Sequence, residues 1–370
     1  MATYNIADFG AVGDGETDNA LAIQNAIDTC NAVGGGRVLV PAGGIFRAGP
    51  FELKSFVELH VQASASLVAS TDEALYEETP FRSRSEGSMW IKAVGAERIS
   101  ITGTGTIDGQ GTEFMVDEEP THYNYKLENG IDNRPHLLTL IGCRQVTIRD
   151  VTFANAAYWC IHPAGCQDVL IHGVRVLNSL KVRNCDGIDI DHCRNVRISD
   201  CYIESADDCI CIKNRRDYDD YGPCENITVT GCILTSTSCA IKLGSENMDS
   251  MRNIIFDACV VRASNRGLGI QNRDEGTIEN VIFSNMIIES RLFADVWWGK
   301  AEPIYVTAFK RAPGTPYRFA EGETEGRIGK VRNIRFTNIL CRSENGVYVS
   351  GCDDSRIEEV LFENVRLEID

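Results

Sequence analysis

The sequence has no apolar run approaching the roughly 20 residues that a membrane-spanning helix needs. It also lacks a basic excess: 36 Lys and Arg stand against 53 Asp and Glu, a formal net charge of −17. That balance argues against a protein that reads nucleic acid or an anionic membrane surface, because both attract cationic faces. Any acidic ligand must then be held by local cations. Histidine is scarce, with six in 370 residues, and none pairs with cysteine at finger spacing. His192-Cys193 is adjacent, the wrong geometry for two ligands from one strand, so no zinc site is expected. The opening MATYNIADFGAVGDG has neither a basic n-region nor an apolar h-region, so no secretion leader is expected. A mature chain with its leader removed would read the same. Nothing in the sequence sets an oligomeric state.

Cysteine is abundant, at fifteen. Cys201, Cys232 and Cys259 each fall five residues after the start of a recurring apolar phrase, in a slot that other phrases fill with Val151, Val174, Met286 and Ile339. A residue that exchanges with aliphatics behaves as a small core hydrophobe, so free stacked thiols are expected in place of disulfides. Reduced cysteines favour a cytoplasmic setting.

The phrases are Val146 to Phe153, Val169 to Val176, Val196 to Ile203, Ile227 to Leu234, Ile254 to Val261, Val281 to Ile288, Ile334 to Cys341, and one from Val360 onward. Their starts lie 23, 27, 31, 27, 27, 53 and 26 residues apart, the 53 reading as nearly two coils with an excursion inside. Asn195, Asn226, Asn253, Asn280 and Asn333 each stand just before a phrase, as a stacked polar ladder would require. Such periods without helices between the strands predict an all-β parallel β-helix; propeller blades run longer and carry four strands each.

One helical pattern precedes the strands. Asp18 is the expected N-cap, Leu21, Ile23, Ala26, Ile27 and Cys30 form an apolar side, and Gly34-Gly35-Gly36 stops the helix. It is placed to cover the open end of the solenoid, although packing on the sheet of a mixed domain is the alternative. The whole chain, 1–370, reads as one domain with a cap over 1–45 and coils over 46–370. Two stretches interrupt the rhythm, 110–136 with the acidic run Asp117-Glu118-Glu119, and 291–327 with Trp297 and Trp298.

The candidate site lies between Asn184 and Lys213, where NCDGIDID is followed by SADDCICIK. Asp186 precedes Asp207 by 21 residues, and Asp208 is adjacent. In both segments carboxylates come just ahead of an alternating apolar run, hence at the mouth of a strand. If 21 residues make one coil, strands about 4.8 Å apart bring three carboxylates to one patch. Ionised groups so close repel, and one of them holds its proton to higher pH, an arrangement suited to general acid and base work.

These segments, with SCAIKLGSE and the DFGAVGDG start, resemble the polygalacturonase family of pectin hydrolases, glycoside hydrolase family 28, over nearly the whole chain. The resemblance implies a right-handed β-helix that hydrolyses galacturonosyl linkages with inversion. It implies Asp207 as general acid, Asp186 and Asp208 as the pair that activates water, and no cofactor or metal. An inverting pair of carboxyls stands about 6.5–9.5 Å apart. The chain departs from the family pattern at Ser238-Cys239-Ala240, where a Gly-His-Gly is expected, and at Gly269-Ile270-Gln271, in place of Arg-Ile-Lys. Lys213, Lys242, Arg266 and Arg273 are the candidates to hold a uronate carboxylate in their stead. They serve equally well to neutralise the Asp cluster. Trp159 to Pro163 resembles a stretch of exo-acting members and makes His162 a substrate-binding candidate, with a structural histidine as the alternative. Asn184, Trp298 and Tyr305 complete the candidate binding set, Lys300 and Glu302 being further polar hooks. The expected partner is an acidic oligosaccharide, attacked from a chain end. A polysaccharide lyase using Ca²⁺ on the clustered Asp and a non-catalytic sugar-binding solenoid are the competing functions.

Overall fold

The structure, a computed structural model, describes residues 2–76, 88–116, 125–127, 134–294, 299–310 and 328–370. Alternation sets the coils. In the first phrase Val146, Ile148, Val151 and Phe153 are buried while Arg149 and Asp150 are exposed. Each phrase pairs in parallel with the next: Val146 with Val169, Val169 with Val196, Val196 with Ile227, Ile227 with Ile254 and Ile254 with Val281. Val281 then pairs with Ile334, and Ile334 with Val360. The result is the expected right-handed parallel β-helix, the hand that parallel crossovers favour. One spacing is corrected. Because Val281 pairs directly with Ile334, the 53 residues make a single coil with a large insertion, not two coils.

The ladders hold the coils in register. The five expected Asn residues have φ between 50° and 59°, the left-handed region that Asn tolerates. Each side-chain amide from Asn226 onward donates to the Oδ1 of the Asn below at 2.8–3.2 Å. The buried rings of Phe256, Phe283 and Phe336 stack at 4.9 and 5.0 Å, and the exposed ring of Phe362 extends the stack at 4.9 Å, the spacing of neighbouring strands. All fifteen cysteines are free thiols, and Cys201, Cys232 and Cys259 are buried as the aliphatic slot requires.

Helix α1, Ala20–Ala32, buries Ala22, Ile23, Ala26, Ile27 and Cys30 against Thr3–Asn5, Gly36–Val40 and Phe51–Glu52. Two details differ from expectation. Leu21 is 74% exposed, because the buried stripe falls one position later, on Ala22. The N-cap is Asn19, whose side chain is drawn away to Val12, Thr17 and Arg47; Asp18 still accepts the Ala20 amide at 2.9 Å. The first insertion starts as a short antiparallel pair, Met115–Val116 with Lys126–Leu127. Its acidic run 117–119 lies outside the described residues, as do Trp297, Trp298 and 311–327.

A second sheet of ten strands runs the length of the solenoid: β1 Phe51–Glu52, β2 Met89–Val94, β3 His136–Ile141, β4 Ile161–Ala164, β5 Ile188–Asp191, β6 Ile210–Asn214, β7 Cys239–Asn247, β8 Arg266–Asn272, β9 Ile304–Ala308 and β10 Tyr348–Ser350. Its outer face carries the site.

Candidate active site

Strand β5 reads IDID. Ile188 and Ile190 enter the core, so Asp189 and Asp191 face outward. The β5–β6 register pairs Ile188 with Ile210 and Asp191 with Lys213. The offset is therefore 22, and Asp186 stands level with Asp208 instead of Asp207. Gly187 makes the approach feasible: a Cβ there would meet the Cys209 carbonyl oxygen at 2.4 Å, and its amide donates to the Asp208 carbonyl at 2.8 Å.

Asp186, Asp207 and Asp208 do converge. They are 2%, 6% and 1% exposed, and one oxygen from each lies within 4.8 Å of the others. The nearest oxygens approach this closely because adjoining coils are only one strand spacing apart.

Burial sets the protonation of this cluster. It pushes the Asp207 carboxyl up to about 6, helped by the Asp208 charge and opposed by Lys242 and Lys213. Asp186 is held well above the usual carboxylate range by burial, then by Asp189 and Asp207. Asp189, fully buried, rises to about 8, chiefly through burial and against the pull of Lys213. Among the described contacts, the cations that meet Asp186, Asp189, Asp207 and Asp208 are the ammonium groups of Lys213 and Lys242. Full ionisation would leave two buried charges uncompensated, which costs several kcal/mol per ion. Protons are therefore retained, as general acid chemistry at mild pH requires.

The cations divide between roles. Lys213 Nζ lies 3.5 Å from Asp189 and 4.0 Å from Asp186, and 4.7 Å over the Trp159 ring. Lys242 Nζ is bonded to Asp208 Oδ2 at 2.8 Å. Arg266 makes a bidentate pair with Glu302 and lies 3.7 Å over Tyr305. Its guanidinium is thereby held by the protein's own carboxylate, contrary to its expected role of meeting a uronate. Arg273 donates to the Asn272 carbonyl and lies 5.5 Å over Phe309, past the end of β8. No described contact joins it to the aspartates.

His162 is fully buried. Its Nε2 is 3.4 Å from Asp191 Oδ2, the Trp159 ring meets it edge-on at 4.8 Å, and burial lowers its pKa, keeping the imidazole neutral. Asn184 accepts from Arg134 at 3.3 Å. Tyr305 stacks on Tyr348 under Arg266, and Trp298 lies outside the described residues.

Sequence reasoning passed over Asp189, Asp191, Arg134 and Arg215. The first two were recoverable, since alternation within IDID turns both outward. Arg134 lies 4.8 Å over Tyr158 and donates to the Ala157 carbonyl. Arg215 pairs with Asp217 at 3.1 Å and lies 5.0 Å over Trp159, while its amide donates to Asp191. Neither arginine carries a local signal, because both sit in irregular segments between strands.

A cation has room among the three carboxylates, but the ammonium of Lys242 already stands on Asp208. Clustered acids, a neutral histidine and aromatic walls are residue types suited to general acid and base chemistry. Comparison with known proteins agrees. The chain is 31% identical over 286 residues to a probable polygalacturonase of Vitis vinifera, covering 72% of this chain and 56% of that one. A probable polygalacturonase of Arabidopsis thaliana is 29% identical over 269 residues, 71% and 52% of the two chains. The chain thus spans about half the length of these relatives. The crystal structure of an exopolygalacturonase from Thermotoga maritima matches with a TM-score of 0.74 at 23% identity, over 99% of this chain and 92% of that one, a likeness of fold. Residues 30–296 match the description of glycosyl hydrolases family 28, and with the aspartate cluster seated inside that span, the chain belongs to this family.

Proposed function

We propose that the protein is a polygalacturonase-like glycosidase that hydrolyses galacturonic-acid-containing oligosaccharides from a chain end, with inversion. The observation that carries this is Asp207, a buried carboxyl raised to about 6 beside two further carboxylates on one sheet face. Protonated Asp207 gives its proton to the leaving oxygen. Asp208, paired with Lys242 and level with Asp186 on the adjoining coil, takes the proton of the incoming water, which Asp186 helps to orient. Lys213 is the cation best disposed to attract a uronate, because its ammonium lies over Trp159 at the edge of the cluster. The chain-end preference is supported by the Trp159–His162 wall next to the aspartates; relatives of both endo and exo kinds are similar to this chain.

The test is product analysis on defined pectic oligosaccharides. An exo hydrolase releases only the terminal sugar from the first turnovers. A ladder of intermediate lengths would refute the chain-end reading. The three oxygens within 4.8 Å also favour a second reading, a Ca²⁺-dependent lyase. An unsaturated, ultraviolet-absorbing product that disappears with chelator would establish it.

A further inference from the structure

Asp207 and Asp208 are adjacent and both buried, so something must decide which of the two serves as acid and which as base. Lys242 is the group that distinguishes them. Its Nζ lies 2.8 Å from Asp208 Oδ2, while Ser238 Oγ lies 3.5 Å from the other oxygen. Among the described contacts Asp207 has no ion pair; its Oδ1 accepts the Asp208 amide at 3.0 Å. Lys242 is itself outward on β7, level with Cys211 on β6, so the coil stacking aims it at the cluster. We propose that Lys242 assigns the roles of the adjacent pair: its ammonium engages Asp208 at 2.8 Å and fits that side chain to serve as base, while Asp207, without an ion pair among the described contacts, is left to serve as acid. It is a positioning residue acting through Asp208, not a sugar-binding one.

Among the described residues Asp208 has no other cation at this distance. From the preceding coil it faces Asp186 and Asp189, both acidic, and Asp207 adjoins it. Lys213, on its own strand, leans toward Asp189 and Asp186. From the next coils come Lys242 and then Arg266, which Glu302 holds. The thiols of Cys209, Cys211 and Cys239 have their pKa values raised by burial and stay protonated.

The proposal rests on the hydrolase reading for its role but not for the ion pair, and the experiment separates the two. Thermal melting of Lys242→Met, Asp208→Asn and the double variant reads the pair without substrate. We expect both single variants to melt lower than the native protein and the double variant to melt no lower than Lys242→Met, the coupling of contacting charges. Additive losses would overturn the pair. If Lys242→Met fails to fold because it strands a buried carboxylate, the double variant should fold, and its failure would count against the proposal.

On a substrate that the native enzyme cleaves, Lys242→Met should lower kcat at least tenfold with KM within twofold. It should move the acid limb of the pH–kcat/KM profile upward by about one pH unit, and Lys242→Arg should restore the native profile. A KM raised tenfold on an unmoved profile would show that Lys242 holds the sugar, and would overturn the role proposed here. A native enzyme inactive on every pectic substrate would reject the hydrolase reading while leaving the melting result to stand.

Discussion

Replacing Asp207 by Asn should abolish turnover and stabilise the protein at the same time. Asn keeps the shape and the Oδ1 that accepts the Asp208 amide, but it has no proton to give. Loss of a general acid lowers the rate by roughly 10²–10⁴-fold. The stability change follows from burial. The Asp207 carboxyl is raised from 3.8 to about 6, so between those pH values the folded protein binds more protons than the unfolded chain. Stability therefore falls as pH rises through that window, and above it the full penalty applies. At about 1.36 kcal/mol per pH unit the penalty is about 3 kcal/mol. With an unfolding entropy of roughly 2.1 cal/mol/K per residue, a chain of 370 residues gains about 4 °C in Tm when it is removed. Calorimetry across pH is the assay. Asp207→Asn should melt about 4 °C above the native protein at pH 8, with the difference shrinking toward zero near pH 4. A variant that keeps a tenth or more of the native kcat, or that melts lower at pH 8, would refute the reasoning.

Replacing Lys213 by Met should raise KM for uronate oligosaccharides tenfold or more, and a KM unchanged in steady-state assays would shift that binding to another residue. Phe283, sandwiched between Phe256 and Phe336, should cost about 3–5 kcal/mol as Ala. On the same unfolding entropy that is a fall of roughly 4–6 °C in Tm, and a fall under 1 °C would mean that the ring stack contributes little. Incubation with a chelator should leave the rate of sugar release unchanged; its loss on chelation, restored by Ca²⁺, would favour the lyase reading.

The architecture was legible because the fold repeats itself. The slots before Val196, Ile227, Ile254, Val281 and Ile334 hold Asn in each case, and the same five residues form the ladder in the structure. The three aspartates were legible for a related reason: coil stacking turns sequence spacing into proximity. What escaped was whatever depends on offsets smaller or larger than one coil. A single residue decides whether Asp186 meets Asp207 or Asp208, and only the strand register fixes it. The Arg266–Glu302 pair joins residues 36 apart, the second of them inside the second insertion, where no period exists to be read. Lys242 was recognisable as an outward cation, but its partner was not, since alternation gives a face and not a neighbour. Leu21 failed for a simpler reason, because the buried stripe of a 13-residue helix can shift by one position at its first turn.

The central claim is that Asp207 gives up a proton while its two neighbours activate water against the sugar. Proton NMR of a defined galacturonate oligosaccharide, followed from the first minutes of reaction, tests it most directly. The released sugar should appear first as the anomer opposite to that of the bond broken, before mutarotation mixes the two. First appearance of the same anomer would contradict the direct attack of water, and an unsaturated product would contradict hydrolysis itself.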